Sequence, residues 1–331
     1  MRTEWAEHAR TRLRALRHDS GAWGYGDATA PATEPTALAG LALLRGEPLA
    51  AEAASKWLSR QQARCGSVAA VASRPEAGWA TAYACLLWAA VEAPRTGREA
   101  AIQWLLSSKG VTTPQARDGI VGHDSTLVGW PWIDGTASWV EPTSLAILAL
   151  GAEEKIDHPR VLEGLSLIRD RAIPGGGWNM GNPVVFGTPL RPQPAPTGLA
   201  LLALARAGKG SEGTVGPAIE YLRWMLPHTR APGSLGWGLL GLRAWGAFPE
   251  EAGTWLAESC ADTLSKPRAA VGLALLLLAV DEETFPLLPP GEATAQQRTR
   301  SVGRNPTPSI APTPFPTGSG GQLPKGRASH E

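Results

Sequence analysis

Two segments of the chain carry a glutamate at the same place in the same short pattern. ATEPTA (Ala32 to Ala37) holds Glu34, and WVEPTS (Trp139 to Ser144) holds Glu141. A carboxyl group kept in a dry, aromatic setting is a proton donor. Burial disfavours its ionised form, and ring faces stabilise the cation that forms when a double bond takes up the proton. Glu-Pro-Thr is equally a good helix start, with proline in the first turn and an acid near the positive end of the helix dipole. Both readings stand for Glu34 and for Glu141. The setting of Glu141 adds weight to chemistry, because the interval Gly122 to Thr143 concentrates His123, Asp124, Trp130, Trp132, Asp134 and Trp139 just before and around it. Long loops over a rigid scaffold are where binding groups gather. The candidate catalytic groups are therefore Glu141, Glu34 and Asp134. The candidate substrate-binding groups are Trp130, Trp132, Trp139, His123 and Asp124, joined by Trp23 and Trp178 from glycine-rich turns.

The elements that must position these groups are repeated. EPTALAGLALL (Glu34 to Leu44), WATAYACLLWA (Trp79 to Ala89), EPTSLAILAL (Glu141 to Leu150) and APTGLALLALA (Ala195 to Ala205) align on Thr36, Thr81, Thr143 and Thr197, which are 45, 62 and 54 residues apart. Spacings of this size belong to helical-pair repeats. Two degenerate copies follow, WGLLGLRAWG from Trp237 and PRAAVGLALLLLAV from Pro267. These segments are apolar nearly all round, so each predicts a helix buried on every side, starting near Glu34, Trp79, Glu141 and Pro196 in the four clear copies. Between them lie amphipathic segments, AASKWL, AAIQWL, PAIEYL and EAGTWL, in which a small residue precedes Trp57, Trp104, Tyr221 or Trp255 by three positions. That spacing puts both on one helical face and predicts an outer layer docked by it. Turns of the form GAWG, GWPW and GGGW follow outer segments. Glycine ends the helix and the tryptophan can cover its exposed end. The expected fold is all-α, an (α/α) toroid of about six inner and outer helix pairs over residues 1–284. Residues 285–331, rich in proline, glycine, serine and threonine, are expected to form a disordered tail.

Composition narrows the partners. Of the 331 residues, 43% are hydrophobic and 18% charged, and the net charge is +1, so no polyanion footprint supports nucleic-acid binding. The three cysteines, Cys65, Cys85 and Cys260, make no CxxC, which implies neither a disulfide framework nor a zinc site. A cytoplasmic location is expected, with no signal peptide and no transmembrane segment. The most apolar run, Val271 to Val280, is about half of the ~20 residues a bilayer crossing needs.

AASKWLSRQQARCG resembles the QW motif of triterpene cyclases, with Ala54, Trp57, Leu58, Gln62 and Gly66 in place and Val68 where the motif ends in tryptophan. With the repeat pattern, this makes the chain similar to the squalene cyclase and protein prenyltransferase β-subunit group over roughly residues 1–280. The resemblance implies a toroid and an isoprenoid or other apolar small molecule as ligand, with peripheral membrane contact. Squalene-hopene cyclases protonate an alkene with the middle aspartate of DxDDTA. In register, Glu34 and Glu141 stand at that position, and Pro35 and Pro142 replace the partner aspartate. The prenyltransferase zinc site is excluded, because DGTASW has Thr136 where the cysteine ligand would stand and threonine cannot replace a thiolate at zinc. Thioester and lanthionine-cyclase chemistry likewise lack their cysteine segments. No metal or cofactor is expected. Two functions from different classes follow: an isoprenoid-processing, class II cyclase-like enzyme with a glutamate acid in a tryptophan-lined hollow, or a non-catalytic toroid that binds a lipid or peptide.

Overall fold

The computed structural model of the chain describes residues 4–115, 121–208, 213–281 and 286–288. Among the described residues, twelve α-helices alternate between two layers. The inner layer is α2 (Thr33–Leu43), α4 (Thr81–Ala90, entered through a 3-10 turn at Gly78–Ala80), α6 (Val140–Ala152), α8 (Pro194–Ala207), α10 (Pro232–Arg243) and α12 (Ala270–Val280). Each packs on the next, and α12 returns to α2, so the ring closes. The outer layer is α1 (Glu4–Ala15), α3 (Pro48–Gln61), α5 (Arg95–Ser107), α7 (Pro159–Asp170), α9 (Val215–Met225) and α11 (Ala252–Leu264). The inner starts fall within two residues of those expected, and Trp57, Trp104, Tyr221 and Trp255 all lie on outer helices. A two-stranded ribbon, β1 (Val184–Val185) and β2 (Thr188–Pro189), rises from the loop before α8.

The recurring threonine has a structural task. Thr36, Thr143 and Thr197 Oγ1 each accept the backbone N–H of the tryptophan in the preceding glycine-rich turn, Trp23, Trp130 and Trp178, all at 2.9 Å. Thr81 does the same for Val68 at 2.8 Å. The Thr36 and Thr197 hydroxyls also donate back to the carbonyls of Trp23 and Trp178. The indoles complete the joint. Trp23, Trp130 and Trp178 Nε1 donate to the carbonyls of Leu13, Leu105 and Ile168, each two residues before the end of an outer helix. Carbonyls in the last turn of a helix have no partner within it, so each tryptophan caps the outer helix while the threonine holds its backbone to the inner one. Val68 has no indole, and there Gln62 ties the turn instead, donating to the carbonyls of Gly66 and Gly97.

Where two inner helices touch most closely, side chains give way to backbone. A Cβ on Gly198 of α8 would lie 2.1 Å from the carbonyl oxygen of Trp237 on α10, and one on Gly241 would lie 2.6 Å from Gly198 Cα. Only glycine allows that approach. The packed chain also reaches past the expected boundary at 284: Leu287 is fully buried, and Arg206 donates to the carbonyl of Pro286. Phe285 and residues 289–331 of the expected tail lie outside the described residues. Among the described residues no helix is long and apolar enough to cross a membrane.

Thr197→Val keeps the shape and leaves the buried Trp178 N–H without an acceptor. We expect a loss of about 1–3 kcal/mol in urea unfolding, and the same for Thr36→Val. A change near zero at both sites would show that the joint contributes nothing to stability.

Candidate functional site

With each threonine facing its outer turn, helical geometry turns the residues two before and two after it toward the ring axis, since each step rotates by about 100°. The residues two before are Glu34, Trp79, Glu141 and Ala195, and all four are partly exposed. The residues two after are Leu38, Tyr83, Leu145 and Leu199, none more than 3% exposed. The ring is thus filled with side chains one turn below its mouth. Glu34, Trp79 and Glu141 of the expected tryptophan-lined hollow lie in the uppermost layer, above these buried residues.

The mouth brings Glu34 and Glu141 together around α4. Tyr25 Oη donates to Glu34 Oε2 at 2.8 Å, and Tyr83 Oη donates to Glu34 Oε1 at 3.3 Å. Tyr83 feels the negative charge of both glutamates, and burial with those charges pushes its hydroxyl well above the usual phenol range. Burial raises the Glu34 carboxyl, partly opposed by its two tyrosine hydrogen bonds. Burial and then the charge of Glu34 push Glu141 up to about 7. Among the described residues no cation contributes to either shift. Trp79 completes the wall, its ring edge-to-face with Tyr83 at 5.8 Å and with Trp132 at 4.8 Å. Both glutamates lie in the first turn of their helices, as the helix-start reading requires, yet Glu34 spends its oxygens on tyrosines rather than on capping its own helix.

The other expected site residues divide plainly. Trp132 reaches the mouth through Trp79. Trp23, Trp130 and Trp178 are buried in the joints described above, with their indole N–H groups spent on helix ends, away from the glutamate pair. Arg160 lies over the Trp130 ring at 3.7 Å. Trp139 is partly buried at the foot of α6, beside Gly181. Asp134 is exposed. Its backbone N–H donates to Glu76, and its charge acts on Cys65 rather than on either glutamate. Asp124 accepts from the N–H and hydroxyl of Thr126 and donates its own N–H to Asp170 at the end of α7. His123 sits beside it, its imidazole pushed down by burial and by Arg171. Neither His123 nor Asp124 acts on the glutamate pair. The residues that sequence reasoning missed are Tyr25, Tyr83 and Trp79. Trp79 holds the same register as Glu34 and Glu141, and Tyr83 follows its threonine by two, so the threonine alignment contained both.

No protein-family model matches the chain, and no curated protein does either. Solved structures share its fold. A variant of type II terpene cyclase MstE from Scytonema, in complex with merosterolic acid A, superposes with a TM-score of 0.58 at 15% identity, covering 86% of this chain and 97% of that one. An α-amylase from Clostridium perfringens gives 0.59 at 10% identity, covering 86% and 99%. A protein from Actinoplanes gives 0.54 at 15% identity, covering 78% of each. The chain therefore has the helical toroid fold that a type II terpene cyclase shares with other proteins.

Burial of Glu141 has a consequence for stability. Its proton is held to about pH 7 in the folded chain and only to its ordinary 4.5 in the unfolded one. Between those values the folded state binds more protons, so stability falls as pH rises through that window and the loss is complete above about pH 7. Glu141→Gln carries no charge at any pH. It is expected to be more stable than wild type by about 1–3 kcal/mol at pH 8 and to lose much of the slope between pH 5 and 8 in urea unfolding, part of the full effect being screened by solvent. Equal slopes in the two proteins would show that Glu141 ionises as an exposed acid does.

Proposed function

We propose that the chain is a class II terpene cyclase-like enzyme acting on an isoprenoid, with Glu141 as the proton donor. The observation that carries this reading is the juxtaposition of the two register-matched glutamates with the rings of Tyr83, Trp79 and Trp132 at one mouth. Glu141, raised to about 7, keeps a proton at neutral pH. Placed against a trisubstituted double bond, its O–H adds that proton to the less substituted carbon and leaves a tertiary cation. The ring faces stabilise the cation, and a neighbouring double bond attacks it to close a ring. Loss of a proton from the last cation ends the sequence, so the reaction is an isomerisation with no net change in atoms. Glu34, held by Tyr25 and Tyr83, places its carboxyl oxygens beside the cation.

Several features support the partners this reading requires. MstE, which shares the fold, has been solved with geranylgeranyl dihydroxybenzoate as its substrate. The loops that carry Trp132 and the ribbon before α8 expose Val111, Ile133, Met180, Phe186 and Leu190, an apolar set suited to peripheral membrane contact and to the entry of a lipid. Cys65, Cys85 and Cys260 are free thiols, in keeping with a cytoplasmic protein. One observation favours the non-catalytic alternative. Leu38, Tyr83, Leu145 and Leu199 are buried directly beneath Glu34 and Glu141, which suits a lipid or peptide bound across the rim.

Incubation with squalene and shorter polyprenyl substrates, followed by mass spectrometry, separates the two. The wild type is expected to yield a cyclised isomer of one of them. Glu141→Gln is expected to lower turnover at least about 100-fold, with fold and binding kept. Absence of product across the panel together with measurable isoprenoid binding would favour the binder. Product from Glu34→Gln and Glu141→Gln alike would show that neither glutamate is the acid.

A further inference from the structure

The mouth is one end of the ring. At the other end the inner helices finish, and the chain folds back on them after α12. Asp281, which follows α12, is held by Arg45 beyond the end of α2 at 2.6 Å, on the seam where the last inner helix meets the first. Pro286 lies across the ring from that seam. Its carbonyl accepts from Arg206 in the last turn of α8, a helix packed between α6 and α10. Leu287 is fully buried and belongs to the same apolar cluster as the inner helices, with Leu288 packed against that cluster. Arg206 is fitted for this contact. Its stem lies against Gly151 in the last turn of α6, where an added Cβ would stand 2.6 Å from Arg206 Cγ, and glycine leaves the room.

A main-chain carbonyl met by a donor and a side chain sunk in an apolar recess are the two means by which proteins hold an extended peptide. The first gives affinity with any residue, and the second selects. Proline at the carbonyl position fixes φ and removes an N–H that would need a partner, so it is readily held extended. One hydrogen bond and one buried leucine also make a contact that a second peptide can reproduce in full. We propose that this lower end of the ring is a binding slot for an extended peptide with leucine after proline, and that the chain's own Pro286, Leu287 and Leu288 occupy it as an internal ligand. Joined to α12, that segment acts at an effective concentration on the order of millimolar, so a competing peptide enters only when the segment's own hold is weakened. The slot lies at the opposite end of the ring from Glu34 and Glu141 and rests on neither.

Fluorescence polarisation of a labelled TFPLLPP peptide, the sequence around Leu287, against the full chain is the test. Leu287→Asp puts a charge where the leucine is buried and empties the slot of its own segment. This variant is expected to bind the peptide at least roughly tenfold more tightly than the wild type, which the internal ligand blocks. Leu287→Ala removes the side chain without adding a charge. It is expected to bind to an intermediate degree, and it carries the test if the aspartate variant loses its helical circular dichroism. The same peptide with aspartate in place of its first leucine is expected to bind neither variant. Arg206→Met added to Leu287→Ala removes the donor to the peptide carbonyl and is expected to weaken binding at least about fivefold. Binding by both Leu287 variants no tighter than by the wild type would overturn the proposal, as would equal binding of the leucine and aspartate peptides.

Discussion

The hydrogen bond from a turn's backbone N–H to the threonine hydroxyl on the following inner helix is the constraint on which the rest of this structure depends. It fixes the rotation of each helix about its own axis. Once Thr36, Thr81 and Thr143 are turned outward to Trp23, Val68 and Trp130, the residues two places earlier have nowhere to face but the axis. Glu34, Trp79 and Glu141 are therefore brought to one mouth by bonds made on the far side of their helices. The indole caps on Leu13, Leu105 and Ile168 fix the outer helices to the same turns, so position in the ring and rotation of each helix are set at a single joint.

This explains which parts were legible in the sequence. The threonine register and the all-round apolar pattern were sufficient to place the inner helices, because burial on all sides and a repeated polar contact both leave periodic marks. The same register marked Glu34 and Glu141 as equivalent. What it could not weigh was where each tryptophan points. Trp23, Trp130 and Trp178 follow helix-ending glycines, and an indole N–H one turn from free carbonyls is spent there, so they close joints instead of lining a ligand site. Proximity in sequence misled for Asp134, His123 and Asp124 as well. A loop between α5 and α6 that is tied back to Glu76, to Val184 and to α7 distributes its polar residues over several neighbours. Tyr25 follows Trp23 by two in the same glycine-rich turn, nine residues before Glu34, and its contact with Glu34 exists only in three dimensions.

The electrostatics of the mouth follow from filling the ring. Leu38, Leu145 and Leu199 exclude water from below, so the carboxyls above them are solvated from one side only. Two acids under that condition cannot both ionise cheaply, and they differ in what each is given in compensation. Glu34 has two phenol donors. Glu141 has none, and its carboxyl is pushed up to about 7.

Glu34 and Glu141 share one desolvated mouth and titrate as neighbours. Carbon-detected NMR of the glutamate side-chain carboxyls across pH 3 to 9, with Glu141 assigned from the spectrum of Glu141→Gln, measures this directly. A Glu141 midpoint near 7 that moves down when Glu34 is replaced by glutamine is expected. A Glu141 midpoint at the ordinary 4.5, unmoved by that replacement, would contradict it.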